Sequence, residues 1–298
     1  MVRQLVARSG PGGNLWRPAV NTPASGAGLT ARRRSSSREP LAGLFADVIR
    51  DDWCVLFDFD GPLCDLFSAP PWAVRRKRRT VRATRALKSV VLRYGAELPP
   101  LEDPHDPHEL FRKVLDRLGA ARGPGHPGLG DALHVCLDDQ ERKAARTARP
   151  TPGAAEAVEL IHELGLRLAI TSNNSAAAIR GYLDRLGLLH YYGTRPGTRG
   201  AYAAGPVVIG RSDDHEQMKP EPHCLLRAME RHGAVPANSL LIGDSESDIK
   251  AARAAGVTVC AYARDEEKYE QLTGAGADFT ISHLSEITDA LKAAAGRH

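Results

Sequence analysis

Asp58 and Asp60, two residues apart in Val55-Leu56-Phe57-Asp58-Phe59-Asp60-Gly61-Pro62-Leu63, have the types and spacing to do chemistry. The apolar run before them reads as a buried strand, and Gly61-Pro62 forces the chain to turn straight after it. Both acids therefore stand where a strand stops. In an open α/β sheet that carboxyl edge is where ligands bind. Two carboxylates held together there repel one another and lose solvation, a cost that a bound cation or a reaction offsets. Alone, the pair reads by default as two acids on a solvated turn. Partners elsewhere in the chain decide between the two readings.

Three further segments repeat the arrangement. Leu168-Ala169-Ile170-Thr171-Ser172-Asn173-Asn174 runs from an apolar strand into small polar residues that open a helix. A hydroxyl and free backbone N–H groups at such a junction suit an anion, a phosphate above all, although Ser and Asn are also ordinary helix caps. Met218-Lys219-Pro220-Glu221-Pro222 holds a lysine rigidly before a helix with proline at its start. Leu240-Leu241-Ile242-Gly243-Asp244-Ser245-Glu246-Ser247-Asp248 ends a strand in a Gly-Asp turn. Asp248 follows four residues on, at the start of the next helix.

The elements that must position these groups alternate. Strands are expected at 52–58, 167–171, 239–242, 257–262 and 278–281. Helices are expected at 154–164, 175–186, 222–231, 247–255, 266–272 and 284–295. Such alternation predicts parallel β-α-β units in an α/β, Rossmann-like three-layer sandwich. From 65 to 149 helical periods and Pro/Gly breaks replace the β signal, so this stretch reads as an inserted helical unit. The core is then 52–64 with 150–295. Residues 1–45, without periodicity, read as a disordered basic extension.

As a set, DxDG at Asp58–Gly61, the strand-terminal Ser172, Lys219 in KPxP and GDSxxD at Gly243–Asp248 resemble the haloacid dehalogenase superfamily of phosphohydrolases. The resemblance covers about residues 52–290, in the manner of the phosphoglycolate phosphatase-like and beta-phosphoglucomutase-like subgroup. It implies that Asp58 is a nucleophile forming an aspartyl-phosphate, and that Asp60 protonates the leaving oxygen and then activates water. Mg2+ would be held by Asp58, the Asp60 backbone carbonyl and Asp244. Ser172, Asn173 and Lys219 would bind the substrate phosphate, with Asp248 and Gly61 in support. An acid at position 60 favours phosphate ester hydrolysis over dehalogenation. The insertion would be a C1-type cap, which implies a small phosphorylated substrate such as phosphoglycolate, a sugar phosphate or a nucleotide. A phosphomutase, or a low-activity binding or regulatory module, would keep the same residues. Pro62 departs from the family's usual threonine and removes a hydroxyl and an N–H from the turn.

Composition bounds the rest. At 298 residues the chain makes one large or two modest domains, and no apolar run reaches the ~18 residues of a membrane span. With no secretory pattern, a cytoplasmic monomer or homodimer without a membrane partner is expected. The five cysteines (54, 64, 136, 224, 260) lack CxxC spacing and fit a reduced compartment. The formal charge of +4 is unevenly spread: residues 1–50 hold eight arginines against two acids, and 75–93 hold nine Lys or Arg and no acid. This second segment reads as a solvated helix with Val74, Val81, Leu87 and Val91 inward, ahead of substrate steering. Nucleic acid is disfavoured, because no aromatic residues interleave. His105 and His108 read as structural, and Asp106 as a turn or cap.

Overall fold

The computed structural model describes residues 38–67, 74–120, 126–193 and 205–296. Helix α1 (Arg38–Arg50) leads into strand β1 (Cys54–Phe57), after which come α2 (Val74–Arg93), α3 (Pro107–Ala120) and α4 (Leu129–Ala145). The chain continues through α5 (Ala154–Glu163), β2 (Arg167–Thr171), α6 (Ala176–Arg185), β3 (Val208–Ile209) and α7 (His223–His232). It closes with β4 (Ser239–Gly243), α8 (Glu246–Ala255), β5 (Thr258–Tyr262), α9 (Glu266–Gly274), β6 (Phe279–Ile281) and α10 (Ser285–Ala295). All six strands pair in parallel, in the order β3-β2-β1-β4-β5-β6.

Burial of every residue of β1 explains why its sequence is a continuous apolar run. The strand period of two sends Val55, Phe57, Leu168, Ile170, Leu240 and Ile242 to one face. Cys54, Leu56, Ala169 and Leu241 go to the other. The first face packs on α1, α5, α6 and α10, the second on α7, α8 and α9. These are the three layers. Because β1 lies between β2 and β4, the chain leaves its carboxyl end at the point where connections turn to opposite sides, the crevice that open α/β sheets offer to ligands.

Two expectations change. The irregular extension does not run to residue 45, because α1 starts at Arg38. Leu41, Leu44, Phe45 and Val48, spaced i, i+3, i+4 and i+7, form a buried stripe, and α1 packs on α10. The surrounding Arg- and Ser-rich composition obscured that stripe; residues 1–37 lie outside the described residues. Strand β3 was not anticipated, since two residues carry no periodicity.

Helices α2, α3 and α4 build a separate core around Leu87, Val91, Leu110, Phe111, Leu133 and Leu137, joined by Met218 from the sheet side. The chain enters and leaves this unit through adjacent residues. Asp65 N–H donates to Arg149 O at 3.0 Å, and Arg149 N–H donates to Asp65 Oδ1 at 2.6 Å. Along α2, Leu87 and Val91 are buried, Val81 is half-buried, and Arg78, Arg82, Arg85 and Arg93 face solvent. Arg79 instead caps the Asp65 and Ala144 carbonyls. The side chains of residues 74–77, including Val74, lie outside the description.

Phe45→Ala is expected to lower unfolding stability by about 3–5 kcal/mol in a urea titration, the cost of emptying a buried aromatic site. A loss under about 1 kcal/mol would remove α1 from the folded core.

Candidate active site

The carboxyl ends of β1, β2 and β4 converge on one buried ammonium. Lys219, only 2 % exposed, donates from Nζ to Asp58 Oδ1 at 2.8 Å, Asp248 Oδ1 at 2.5 Å and the Thr171 carbonyl at 3.0 Å. Three donors meet three acceptors, one per strand end or its following helix. Asn173 fixes the lysine's backbone: Lys219 N–H donates to Asn173 Oδ1 at 2.8 Å, and Asn173 Nδ2 donates to Lys219 O at 2.9 Å. Asp248 is held in turn by the first turn of α8. Its Oδ2 accepts from Ser245 Oγ, Ser245 N–H and Asp244 N–H at 2.6, 3.0 and 3.1 Å, while Ser245 Oγ accepts from Asp248 N–H to complete a capping box.

Asp58, Asp244 and Asp248 bring carboxylate oxygens within 4.8 Å of one another, all buried. Asp248 spends both oxygens on Lys219 and the α8 turn, so Asp58 and Asp244 are the two able to ligate. Two carboxylates with room for phosphate oxygens and water suit a hard, oxygen-seeking cation such as Mg2+. Gly61 makes the approach feasible, since a Cβ there would overlap the Asp244 carboxyl group. Burial pushes the Asp58 carboxyl up to about 6, against the opposing charge of Lys219. Burial likewise pushes Asp244 up to about 7, opposed by Lys268 and Arg264. Burial also works against the Lys219 charge, but Asp248 and Asp58 outweigh it and hold the ammonium protonated. A divalent cation would offset the same desolvation at the two aspartates.

Asp58, Asp60, Ser172, Asn173, Lys219 and Asp244 line a single cleft of about 480 Å³. Asp248 lies behind Lys219, and Gly61 forms the turn. Asp60 accepts at Oδ1 from Leu66 N–H (2.9 Å) and at Oδ2 from Phe67 N–H (2.8 Å), which ties this acid to the start of the helical insertion. Ser172 Oγ donates to Asn174 Oδ1 at 3.0 Å. Asn173 departs from its expected phosphate contact in one respect: its side chain is taken up by Lys219, which leaves positioning as its visible work. Around Pro62 the hydroxyl comes from elsewhere, because Thr151 Oγ1 donates to Gly61 O at 2.6 Å.

Several site groups were not anticipated from the sequence. Arg264 donates to Asp244 Oδ2 at 2.7 Å. Its place two residues past β5 follows the strand-end logic that flagged the others. Glu141 of α4 is fully buried and gathers donors from both halves of the molecule: Arg211 (2.8 Å), Ser175 N–H (2.9 Å), Asn174 Nδ2 (3.3 Å) and His108 Nε2 (2.9 Å). In the acidic and basic run Asp138-Asp139-Gln140-Glu141-Arg142-Lys143 nothing marks one acid for burial. Asp106 does cap α3, accepting from His108 N–H at 2.8 Å and Glu109 N–H at 3.1 Å. His108 is structural in its bond to Glu141, yet it also lines the cleft.

A family model described as haloacid dehalogenase-like hydrolase matches residues 54–256, more than half of the chain. A phosphoglycolate phosphatase of Pseudomonas syringae is 28% identical over 70% of this chain and 68% of its own. An N-acetylmuramic acid 6-phosphate phosphatase of Pseudomonas aeruginosa is 27% identical over 80% of this chain and 93% of its own. Among solved structures, a Clostridium acetobutylicum protein described as a predicted phosphatase aligns over 80% of this chain and 99% of its own, with a TM-score of 0.56 and 16% identity. That likeness speaks to the fold.

Burial works against ionised Glu141, but Arg211 and His108 outweigh it and hold its carboxyl below the ordinary 4.5. A depressed carboxyl contributes stability that is present above 4.5 and lost as pH falls through the folded value. Glu141→Ala should therefore cost about 3–5 kcal/mol near neutrality, because the buried Arg211 then keeps only Asp138 as an ionic partner. The gap from the parent protein should narrow steadily below pH 4.5 in denaturant titrations. A pH-independent gap would contradict the ionised assignment.

Proposed function

We propose, on the premise that the chain belongs to the haloacid dehalogenase-like hydrolases, that it is a magnesium-dependent phosphatase acting on a small phosphorylated metabolite through an aspartyl-phosphate. The observation that carries this reading is the Asp58–Lys219–Asp248 set facing Asp244 in one cleft. A buried carboxylate aimed by an ammonium is a positioned nucleophile. The names of the two relatives both denote phosphate monoesters, one of glycolate and one of a sugar acid.

Asp58 attacks phosphorus while the bond to the leaving oxygen breaks, and Asp60 gives that oxygen its proton. Asp60 then takes a proton from water, which attacks the aspartyl-phosphate and frees both phosphate and Asp58. Lys219, Ser172 and the N–H groups that open α6 offset charge on the phosphoryl oxygens. Asp58 and Asp244 would hold Mg2+, which when bound offsets repulsion between the carboxylates and a phosphate dianion. Asp248 and Asn173 keep Lys219 in place. The unit of α2, α3 and α4 serves as a cap that closes the cleft from water. Five unpaired cysteines, four of them buried, fit a reduced cytoplasmic setting. Among the described residues no helix is long and apolar enough to cross a membrane.

Hydrolysis of p-nitrophenyl phosphate and of a metabolite-phosphate panel, with and without Mg2+, checks the reading. Asp58→Asn should lose at least about a thousandfold in kcat, the scale on which removing a nucleophile acts. Turnover that survives both Asp58→Asn and chelation would sink the mechanism.

A further inference from the structure

Helix α3 brings a guanidinium and an imidazole into the roof of the cleft. Arg112 lines it and is half-buried, and among the described residues no hydrogen bond or ion pair reaches its guanidinium. No carboxylate among the described residues neutralises this half-buried guanidinium where it lines the cleft, so the site fits a ligand group that supplies one. One turn earlier, His108 lines the same cleft, and the i, i+4 spacing puts both side chains on one helix face. His108 donates through Nε2 to Glu141 at 2.9 Å, and its Nδ1 has no partner among the described residues. Burial works against the imidazolium, but Glu141 outweighs it and raises His108 above its ordinary 6.5.

The acids beside them are occupied. Glu109 accepts from Glu102 N–H and Asp103 N–H at 2.8 and 3.1 Å and pairs with Lys113 at 2.6 Å. Asp106 caps α3, and Asp103 Oδ1 accepts from His105 N–H at 2.9 Å. None of the three competes for Arg112. Their charge still lines the roof, so a singly charged ligand group meets less repulsion there than a second phosphate dianion. A planar guanidinium presents paired N–H donors that match the two oxygens of a carboxylate.

We infer that His108 and Arg112 form a carboxylate subsite, and that the substrate is accordingly a small phosphorylated organic acid. This assignment rests on the phosphatase reading above. The phosphate end goes to Asp58 and Lys219, and the acid end to α3.

The test compares kcat/KM within two matched pairs: 2-phosphoglycolate against ethyl phosphate, and 3-phosphoglycerate against glycerol 3-phosphate. The wild-type protein should prefer the acid in at least one pair. Arg112→Ala should lower that preference about tenfold to a hundredfold, the range a charge-assisted hydrogen bond supplies. Arg112→Lys should recover part of it, and His108→Gln should lower it less. Equal kcat/KM within both pairs, or a preference for the acid that Arg112→Ala leaves intact, overturns the subsite and leaves the phosphatase reading standing. Hydrolysis of no ester by the Mg2+-loaded wild type overturns both.

Discussion

A single buried ammonium sets the tolerance for the whole active end of this fold. Lys219 is withdrawn from water, and each of its three N–H groups ends on a different segment: Asp58 after β1, Thr171 at the end of β2, and Asp248 in α8. Withdrawing any acceptor would strand a charge in a low-dielectric interior. The three strand ends must therefore stop in register, which parallel pairing of β1 with β2 and β4 secures residue by residue. Local devices serve the same end. The Asn173 clamp holds the lysine's backbone, and the α8 capping box turns Asp248 towards it. At Gly243 a Cβ would collide with Asp248. Charge placement, rather than apolar packing alone, decides where these loops lie.

Glu141 plays the corresponding part between the two halves. A carboxylate on α4 reaches the N–H of Ser175 at the start of α6, next to Ser172 and Asn174, and also holds Arg211 and His108. The roof of the cleft and the loop proposed to cradle phosphate thus share one anion. Met218 adds an apolar link, since it packs into the α2–α4 core while its neighbour Lys219 lies at the sheet. One peptide step joins the two interiors.

Much of the core was legible because buried parallel strands are short apolar runs that end abruptly in polar turns. Asp58, Ser172, Lys219 and Asp244 could be read from those endings, and their convergence follows once strand order is known. Asp248, which opens a helix four residues after Asp244, was expected only to support the metal shell or to orient Lys219, and its bond to Lys219 is a tertiary contact. Less could be read where position depends on tertiary contact. Glu141 and Arg211 belong to no local pattern, and these two partners lie 70 residues apart in the chain. The α1 stripe was visible as spacing but was overshadowed by composition. Asn173 was expected to contact phosphate, yet its amide faces the Lys219 backbone, an orientation no spacing rule provides.

The pairing of Asp65 with Arg149 has a consequence for how such a molecule diversifies. An insertion whose two ends are already hydrogen-bonded neighbours adds little strain to the sheet that carries it, and the entropy of closing it grows only slowly with its length. Away from Glu141 and the Met218 contact, the helical unit can therefore lengthen or shrink without disturbing the ammonium-centred site beneath. The covalent chain thus crosses between the two parts only at neighbouring points, Asp65 and Arg149, while Glu141 and Met218 hold them together without a chain crossing.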